Sequence, residues 1–369
     1  MEQKRIELKV RLSQENNILP TDIKTIIVRC PNWVGDIVMA IPFFDCLRDS
    51  FQQARLVAIV RSYAQGILRD GPWFDSFIDC GDKTWGGFWA MVGAIRKLSP
   101  DMAVVLPNSI RSILPIRIAG VRNVYGYRRS GRGFLLSGGP RPRRQGGQIE
   151  PIPMAGYYLE IARWMGLKIP VETRPRLYTR GPIEEEADRL LCRYKIGPDE
   201  LLVGLNPGAS FGSSKCWPAE YFARTAELMK QEFNCKIILF VGPGEEGIAS
   251  AIESQTDTEL INTSADKINL ELLKPLIRRC SLLITNDTGP RHYAVALDVP
   301  VVVIMGPTDP RYTASNLEKT IVLRQDLPCS PCHKKQCPTD QRCMRSITPE
   351  MVLQAGRELL ERKSVHEAK

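Results

Sequence analysis

The sequence predicts an α/β protein built from two doubly wound parallel sheets, and three observations carry that prediction. Short β-branched or apolar runs alternate with stretches of helical periodicity, the pattern of βαβ units. The alternation stops near residue 170 and restarts near residue 201. A chain of 369 residues is also long enough for two domains that each bury a core.

In the first half, Thr25–Cys30 reads as a buried strand, and Ile37, Ala40, Ile41, Phe44 and Leu47 then share one face of a helix. The pair Gly35-Asp36 falls where that strand ends and that helix begins. Open parallel sheets bind ligands in the crevice outside such strand ends. The same position also suits a plain N-cap carboxylate. Further strands are expected at Leu56–Val60, Phe77–Cys80, Met102–Pro107 and Asn123–Tyr127. The run GRGFLLSGGPRPRRQGGQ has the composition of a long mobile loop. A helix follows over Tyr157–Leu167, then a linker over Pro170–Pro182. The second half offers strands at Leu201–Leu205, Lys236–Val241, Leu282–Thr285 and Val301–Met305, with a last helix over Pro349–Glu361. The domain plan is an extension over 1–22, a first Rossmann-like domain over 23–180, a second over 181–347, and a helix and tail over 348–369.

Composition narrows the class. With 43% apolar and 25% charged residues the chain reads as soluble and globular, and no apolar stretch approaches the length of a membrane span. The first twenty residues are charged throughout and hold no signal-peptide core, so a cytoplasmic location is expected. Most of the eleven cysteines are then expected to be thiols. The net charge of +9 is unevenly spread: from Met102 to Ile149 there is no Asp, Glu or Lys, while Arg recurs at 111, 117, 122, 128, 129, 132, 141, 143 and 144. Such a block attracts anions, and arginine favours bidentate recognition of phosphate or carboxylate. A solvated loop surface would have the same composition.

Three strand ends in the second half carry polar groups. Asn206-Pro207-Gly208-Ala209-Ser210-Phe211-Gly212-Ser213-Ser214-Lys215 is a Gly/Ser loop with one ammonium, suited to a pyrophosphate, though its spacing is not that of a Walker A loop. Asp287-Thr288-Gly289 closes a strand and opens a helix, with His292 one turn in; it reads either as an anion site or as a cap. Gly306-Pro307-Thr308-Asp309-Pro310 has the composition of a turn. Near the C-terminus, Cys329, Cys332, Cys337 and Cys343 could close a structural tetrahedral zinc site, with free thiols or a local disulfide as the alternatives.

Taken together, PNWVGDIVMAIP, LPNSIRSILP, NPGASFGSSKCWP and TNDTGPRHYAVALDVPVVVIMGPTDP resemble glycosyltransferase family nine, the lipopolysaccharide heptosyltransferases, and most the heptosyltransferase II branch. The likeness runs from about residue 24 to 361. It implies the GT-B architecture, two Rossmann-like domains facing across a cleft. It also implies inverting transfer of heptose from ADP-heptose to the lipopolysaccharide inner core, without a required metal. On that likeness Asp36 is the general base and Lys215 neutralises the leaving ADP. Ser210, Asp287, Thr288, Gly289 and His292 hold the donor, with either Glu245 or Glu246 on the ribose. Asn108, Arg111, Arg128, Arg129 and Arg132 would face a lipid A-Kdo-heptose acceptor, at the inner face of the cytoplasmic membrane and with no nucleic acid involved. Cys216 and Pro290-Arg291 depart from the family's usual residues and leave the precise sugar open. The rival readings are a GT-B transferase or epimerase using another sugar nucleotide, and a non-catalytic nucleotide-sugar-binding protein.

Overall fold

Runs of buried, β-branched residues pair in parallel, and every strand expected from the sequence forms within two residues of its expected ends. The computed structural model describes residues 19, 20 and 22–367, with side chains to residue 362. The expected extension over 1–22 therefore lies almost wholly outside the described residues. The chain divides into two compact units between Pro175 and Arg176.

The first unit contains β1 (Thr25–Arg29), β2 (Arg55–Val60), β3 (Ser76–Asp79), β4 (Met102–Val105) and β5 (Asn123–Tyr125), in the parallel order β3-β2-β1-β4-β5. Its longer helices are α1 (Val34–Met39), α2 (Ile41–Ser50), α3 (Trp85–Leu98), α4 (Ile110–Ile118) and α5 (Met154–Trp164). The expected first helix is split at Ala40, because Pro42 has no N–H to continue the ladder and instead opens α2. One face of the sheet is sealed by Met91, Ile95, Ile113 and Ile116 from α3 and α4 over Ile27, Val57, Ala103 and Val105.

The stretch expected to be a mobile loop is anchored. Ser137 N donates to Val124 O at 2.7 Å and Arg128 N to Pro140 O at 2.9 Å. A small antiparallel hairpin, β6 (Arg144–Gln145) with β7 (Gln148–Ile149), follows.

The second unit repeats the plan with β8 (Leu202–Asn206), β9 (Lys236–Leu239), β10 (Ile261–Asn262), β11 (Leu282–Asn286), β12 (Val301–Ile304) and β13 (Thr320–Leu323), ordered β10-β9-β8-β11-β12-β13 and all parallel. The short edge strands β10 and β13 were not foreseen. Around the sheet lie α6 (Gly181–Arg193), α7 (Ala219–Phe233), α8 (Glu246–Glu253), α9 (Leu273–Arg279), α10 (Gly289–Ala296) and α11 (Pro349–Glu367). Pro182 is not linker: it occupies the first turn of α6, where a missing N–H costs nothing. The last helix, α11, packs on α7 and on β11, β12 and β13.

Each sheet reverses its winding once, between β1 and β4 and between β8 and β11. The loops that follow those four strands therefore flank the two switch-point crevices. Among the described residues no helix is long and apolar enough to cross a membrane.

Candidate active site

In the first unit, the switch point is built on a buried arginine. Arg29, at the end of β1 and 1% exposed, donates to Cys30 O at 2.6 Å and Asn32 Oδ1 at 2.8 Å, and pairs with Asp82 at 3.4 Å. That network fixes the turn leading into α1. Asp36 lies inside the first turn of α1, and the cap position is Trp33, so Asp36 is not the N-cap. Its Oδ1 accepts from the buried Tyr158 hydroxyl of α5 at 3.3 Å. Burial and the Asp36 carboxylate raise the Tyr158 hydroxyl well above its usual range, so it remains a donor. Next to Tyr158, Tyr157 stacks on Tyr127 at 3.8 Å and donates to Asn108 Oδ1 at 3.0 Å. The carboxylate after β1 and the amide after β4 are thus both held by adjacent tyrosines of one helix.

The arginines expected on the acceptor side have different fates. Arg128 is exposed; Arg111 is exposed and donates to Asp82 O; Arg129 is half-buried and bonds the Tyr157 hydroxyl. Arg132 is wholly buried. It donates to Tyr127 O at 3.0 Å, Val105 O at 3.3 Å, Asn108 Oδ1 at 3.4 Å and the Pro107 carbonyl. Burial lowers its guanidinium to about 10, which leaves it charged near neutrality. The expectation that Arg132 meets the acceptor is corrected: its donors are used up in holding the loop after β4.

In the second unit, three charges converge at the switch point. Lys215 Nζ donates to Asp287 O at 2.7 Å and Oδ2 at 2.9 Å, and Arg291 Nη1 donates to Oδ1 at 2.8 Å. The Thr308 hydroxyl adds a bond to Oδ2 at 2.6 Å. Burial opposes the charge on Asp287, but Arg291, Lys215 and these hydrogen bonds outweigh it and hold the carboxyl far below its usual range. Two cations on one carboxylate leave the cluster with a surplus positive charge. Arg291 is buried and Lys215 is the more exposed of the two, so the surplus is offered through Lys215. His292 follows on α10; burial, Arg291 and Lys215 push its imidazole down to about 3 despite Asp287, so it is neutral. Thr288 Oγ1 accepts from Asn206 Nδ2 at 3.1 Å, and Gly289 opens α10 with its N–H groups unspent in the first turn. Ser210 is exposed on the loop after β8.

The two candidate ribose acids part company here. Glu245 Oε2 accepts from Gly242 N at 2.8 Å, and its carboxylate lies against Gly208, where a Cβ would come within 1.9 Å of it. Glu246 is exposed and caps Gly244 N at 3.1 Å. Glu245 is the one that faces the Gly/Ser loop.

Against known proteins, the sequence model of glycosyltransferase family 9 (heptosyltransferase) matches residues 88–342, more than half of the chain. The chain belongs to glycosyltransferase family 9. Among relatives of this glycosyltransferase, the lipopolysaccharide heptosyltransferase 2 of Salmonella typhimurium is 28% identical over 356 residues, covering 92% of this chain and 99% of that one. Among solved structures, E. coli ADP-heptose lipopolysaccharide heptosyltransferase II superposes with a TM-score of 0.76 at 25% identity, covering 92% and 99% of the two chains. A family 9 glycosyl transferase from Veillonella parvula superposes at 0.81 with 21% identity, covering 94% and 100%, a likeness of fold. The GT-B class read from the sequence is that of these structures.

Sequence reasoning missed Tyr158, Thr308 and the pairing role of Arg291, because each meets its partner only through the fold or a helical turn. A Tyr-Tyr pair within an otherwise apolar helical face was the available signal. Cys329, Cys332, Cys337 and Cys343 are free thiols, and no group of three or more His, Cys, Asp or Glu among the described residues is placed to hold a metal. Their segment braces the Gly/Ser loop after β8 and the turn at Pro307. Ser214 N donates to Lys335 O at 3.1 Å, Gln341 Nε2 donates to Ser213 O at 2.8 Å and Cys216 O at 2.9 Å, and Cys332 N and His333 N donate to Pro307 O.

Proposed function

We propose that this glycosyltransferase transfers heptose from ADP-heptose to the lipopolysaccharide inner core, with inversion and without a required metal, as a heptosyltransferase II. The observation that carries the reading is the Lys215–Asp287–Arg291 cluster, whose surplus positive charge sits beside a Gly/Ser loop and the start of α10. Preformed positive charge of this kind stabilises a leaving diphosphate as its negative charge develops. Asp36 takes the proton from the acceptor hydroxyl while that oxygen attacks the anomeric carbon, and the glycosidic electron pair leaves with ADP, received by Lys215 and the Gly289 N–H. Ser210, Thr288 and His292 line the diphosphate and sugar, and Glu245 takes the ribose hydroxyls. On the acceptor side, Arg111, Arg128 and Arg129 meet the phosphate and carboxylate groups of a lipid A-Kdo-heptose acceptor, at the cytoplasmic face of the inner membrane. The full-length match to relatives named heptosyltransferase 2 disfavours an epimerase or a pure binding protein.

The test is ADP release with ADP-heptose and a lipid A-Kdo-heptose acceptor in EDTA. Asp36→Asn should slow release by roughly 10²–10⁴-fold with donor affinity nearly unchanged, since a general base acts in the transition state. Equal acceptor-dependent rates in wild type and variant would remove Asp36 from the mechanism, and a preference for UDP-sugars would remove the ADP-heptose assignment.

A further inference from the structure

Helices α3 and α4 run side by side in the same direction on one face of the first sheet. At their starts Arg111 of α4 donates to Asp82 O just before α3, and at their ends Arg96 of α3 donates to Ile118 O at 3.0 Å. Their inner sides fill the core; their outer sides are not polar. Trp85 is 78% exposed and Trp89 44%, one turn apart on α3. Ile110, Leu114 and Ile118 form an exposed i, i+4, i+8 stripe on α4. The turn Arg132–Leu135, packed against α4, adds Phe134 at 77% exposure. Exposed Lys83 precedes α3, Arg96 and Lys97 lie in its last turn and Arg122 follows α4, and the chain from residue 102 to 149 supplies no carboxylate.

Six exposed large apolar side chains on two adjacent helices and the turn packed beside them form a docking surface rather than scattered exposure. Its chemistry selects the occupant. Tryptophan and phenylalanine prefer the headgroup level of a bilayer, and each basic residue near an anionic leaflet adds attraction that salt screens. A two-fold dimer through the same face would set its cationic rim against itself. We propose that the outer face of α3 and α4 docks the protein on an anionic phospholipid bilayer, with Trp85, Trp89 and Phe134 entering the headgroup region. The proposal deepens the heptosyltransferase reading by naming where the enzyme meets the membrane that carries its acceptor, and it rests on that reading for its biological setting only.

The test needs neither donor nor acceptor. The full chain is sedimented with vesicles of phosphatidylglycerol and phosphatidylethanolamine, and with vesicles of phosphatidylcholine alone. Binding should be confined to the anionic vesicles and weaken as salt rises. Trp85→Ser combined with Phe134→Ser should weaken it at least tenfold with an unchanged melting temperature, and Arg96→Glu with Lys97→Glu should remove the preference for anionic lipid. Unaltered binding by the Ser variant, equal binding to phosphatidylcholine, or a salt-insensitive dimer that the Ser variant dissolves would each overturn the proposal. Transfer to a delipidated, water-soluble acceptor is measured separately. It should be unchanged in the Ser variant, whereas its absence in wild type would count against the heptosyltransferase reading and not against docking.

Discussion

Asp36 and Lys215 follow the first strand of their respective sheets, yet their neighbours treat them differently. Lys215 is drawn toward a carboxylate that a second cation already satisfies, while Asp36 receives a hydrogen bond from a tyrosine that cannot ionise near neutrality. Tyr158 therefore orients the Asp36 carboxylate while keeping its own proton. Tyr158→Phe should lower kcat several-fold and leave both KM values nearly unchanged; a rise in KM with kcat intact would make Tyr158 part of the binding surface instead. The neutral His292 makes a second prediction. Its folded pKa of about 3 lies below the ordinary 6.5, so an unfolded chain takes up a proton that the folded chain refuses. Stability from this residue is full above pH 6.5 and is lost as pH falls toward 3. From pH 7 to 5 wild type should lose about 2 kcal/mol more than His292→Gln in denaturant titrations; parallel losses would contradict the neutral assignment. Asp36, Lys215 and Asp287 could be singled out in the sequence because strand ends are legible from local pattern. Tyr158 and Thr308 could not, since each lies more than twenty residues from the group it serves.

At the level of elements, composition marks where loops fall but not which of their side chains stay outside. The arginine block read as one field, yet Arg117 donates to Leu135 O, Val121 O and Arg122 O, and Arg132 is wholly buried. Both arginines hold the segment that looked mobile. Arg132→Ala should cost about 2–4 kcal/mol, because several buried carbonyls lose their donor at once. Arg128→Ala should change stability by less than about 0.5 kcal/mol and raise only the acceptor KM. Similar melting losses in the two variants would erase the distinction. The Gly/Ser loop after β8 has its own supports. Gly212 has φ +151°, and a Cβ there would come within 2.3 Å of Lys335 O, so only glycine lets the cysteine-bearing segment close over the loop. Gln341 holds that closure through three loop carbonyls. Gln341→Ala should raise the donor KM several-fold while acceptor KM and vesicle binding stay as in wild type; an unchanged donor KM would mean that the segment braces the loop without setting Lys215. The cysteine spacing drew attention to this segment for a metal, whereas its backbone and Gln341 make the contacts.

For the whole molecule, the repeated strand order 3-2-1-4-5 explains why one sequence holds two switch-point crevices. The second sheet, extended by β13, adopts the same winding with β8 in the role of β1, so its crevice also opens at the ends of the first and fourth strands. A carboxylate and carbonyl-tethered arginines occupy the first crevice; a cation-rich cluster occupies the second. The alternation of apolar runs made this repetition legible, because parallel strands buried on both faces read as continuous β-branched segments. The two-residue β10 and the edge strand β13 were not legible, since partly exposed runs of that length match loops equally well. Each unit encloses its own buried cluster: one runs from Ile27 to Leu136, and the other from Val203 to Leu360, with α11 closing it. The residues proposed to hold the donor all belong to the second. Residues 176–369 expressed alone should therefore unfold in a single cooperative transition and bind ADP within about tenfold of the full chain's affinity. Lys215→Ala should abolish that binding, because the surplus charge of the cluster is offered through this one side chain. Calorimetry on the isolated half decides the matter. If it melts without a cooperative transition, the second core depends on the first; if it folds but ignores ADP, the donor is not held by the Lys215 cluster alone.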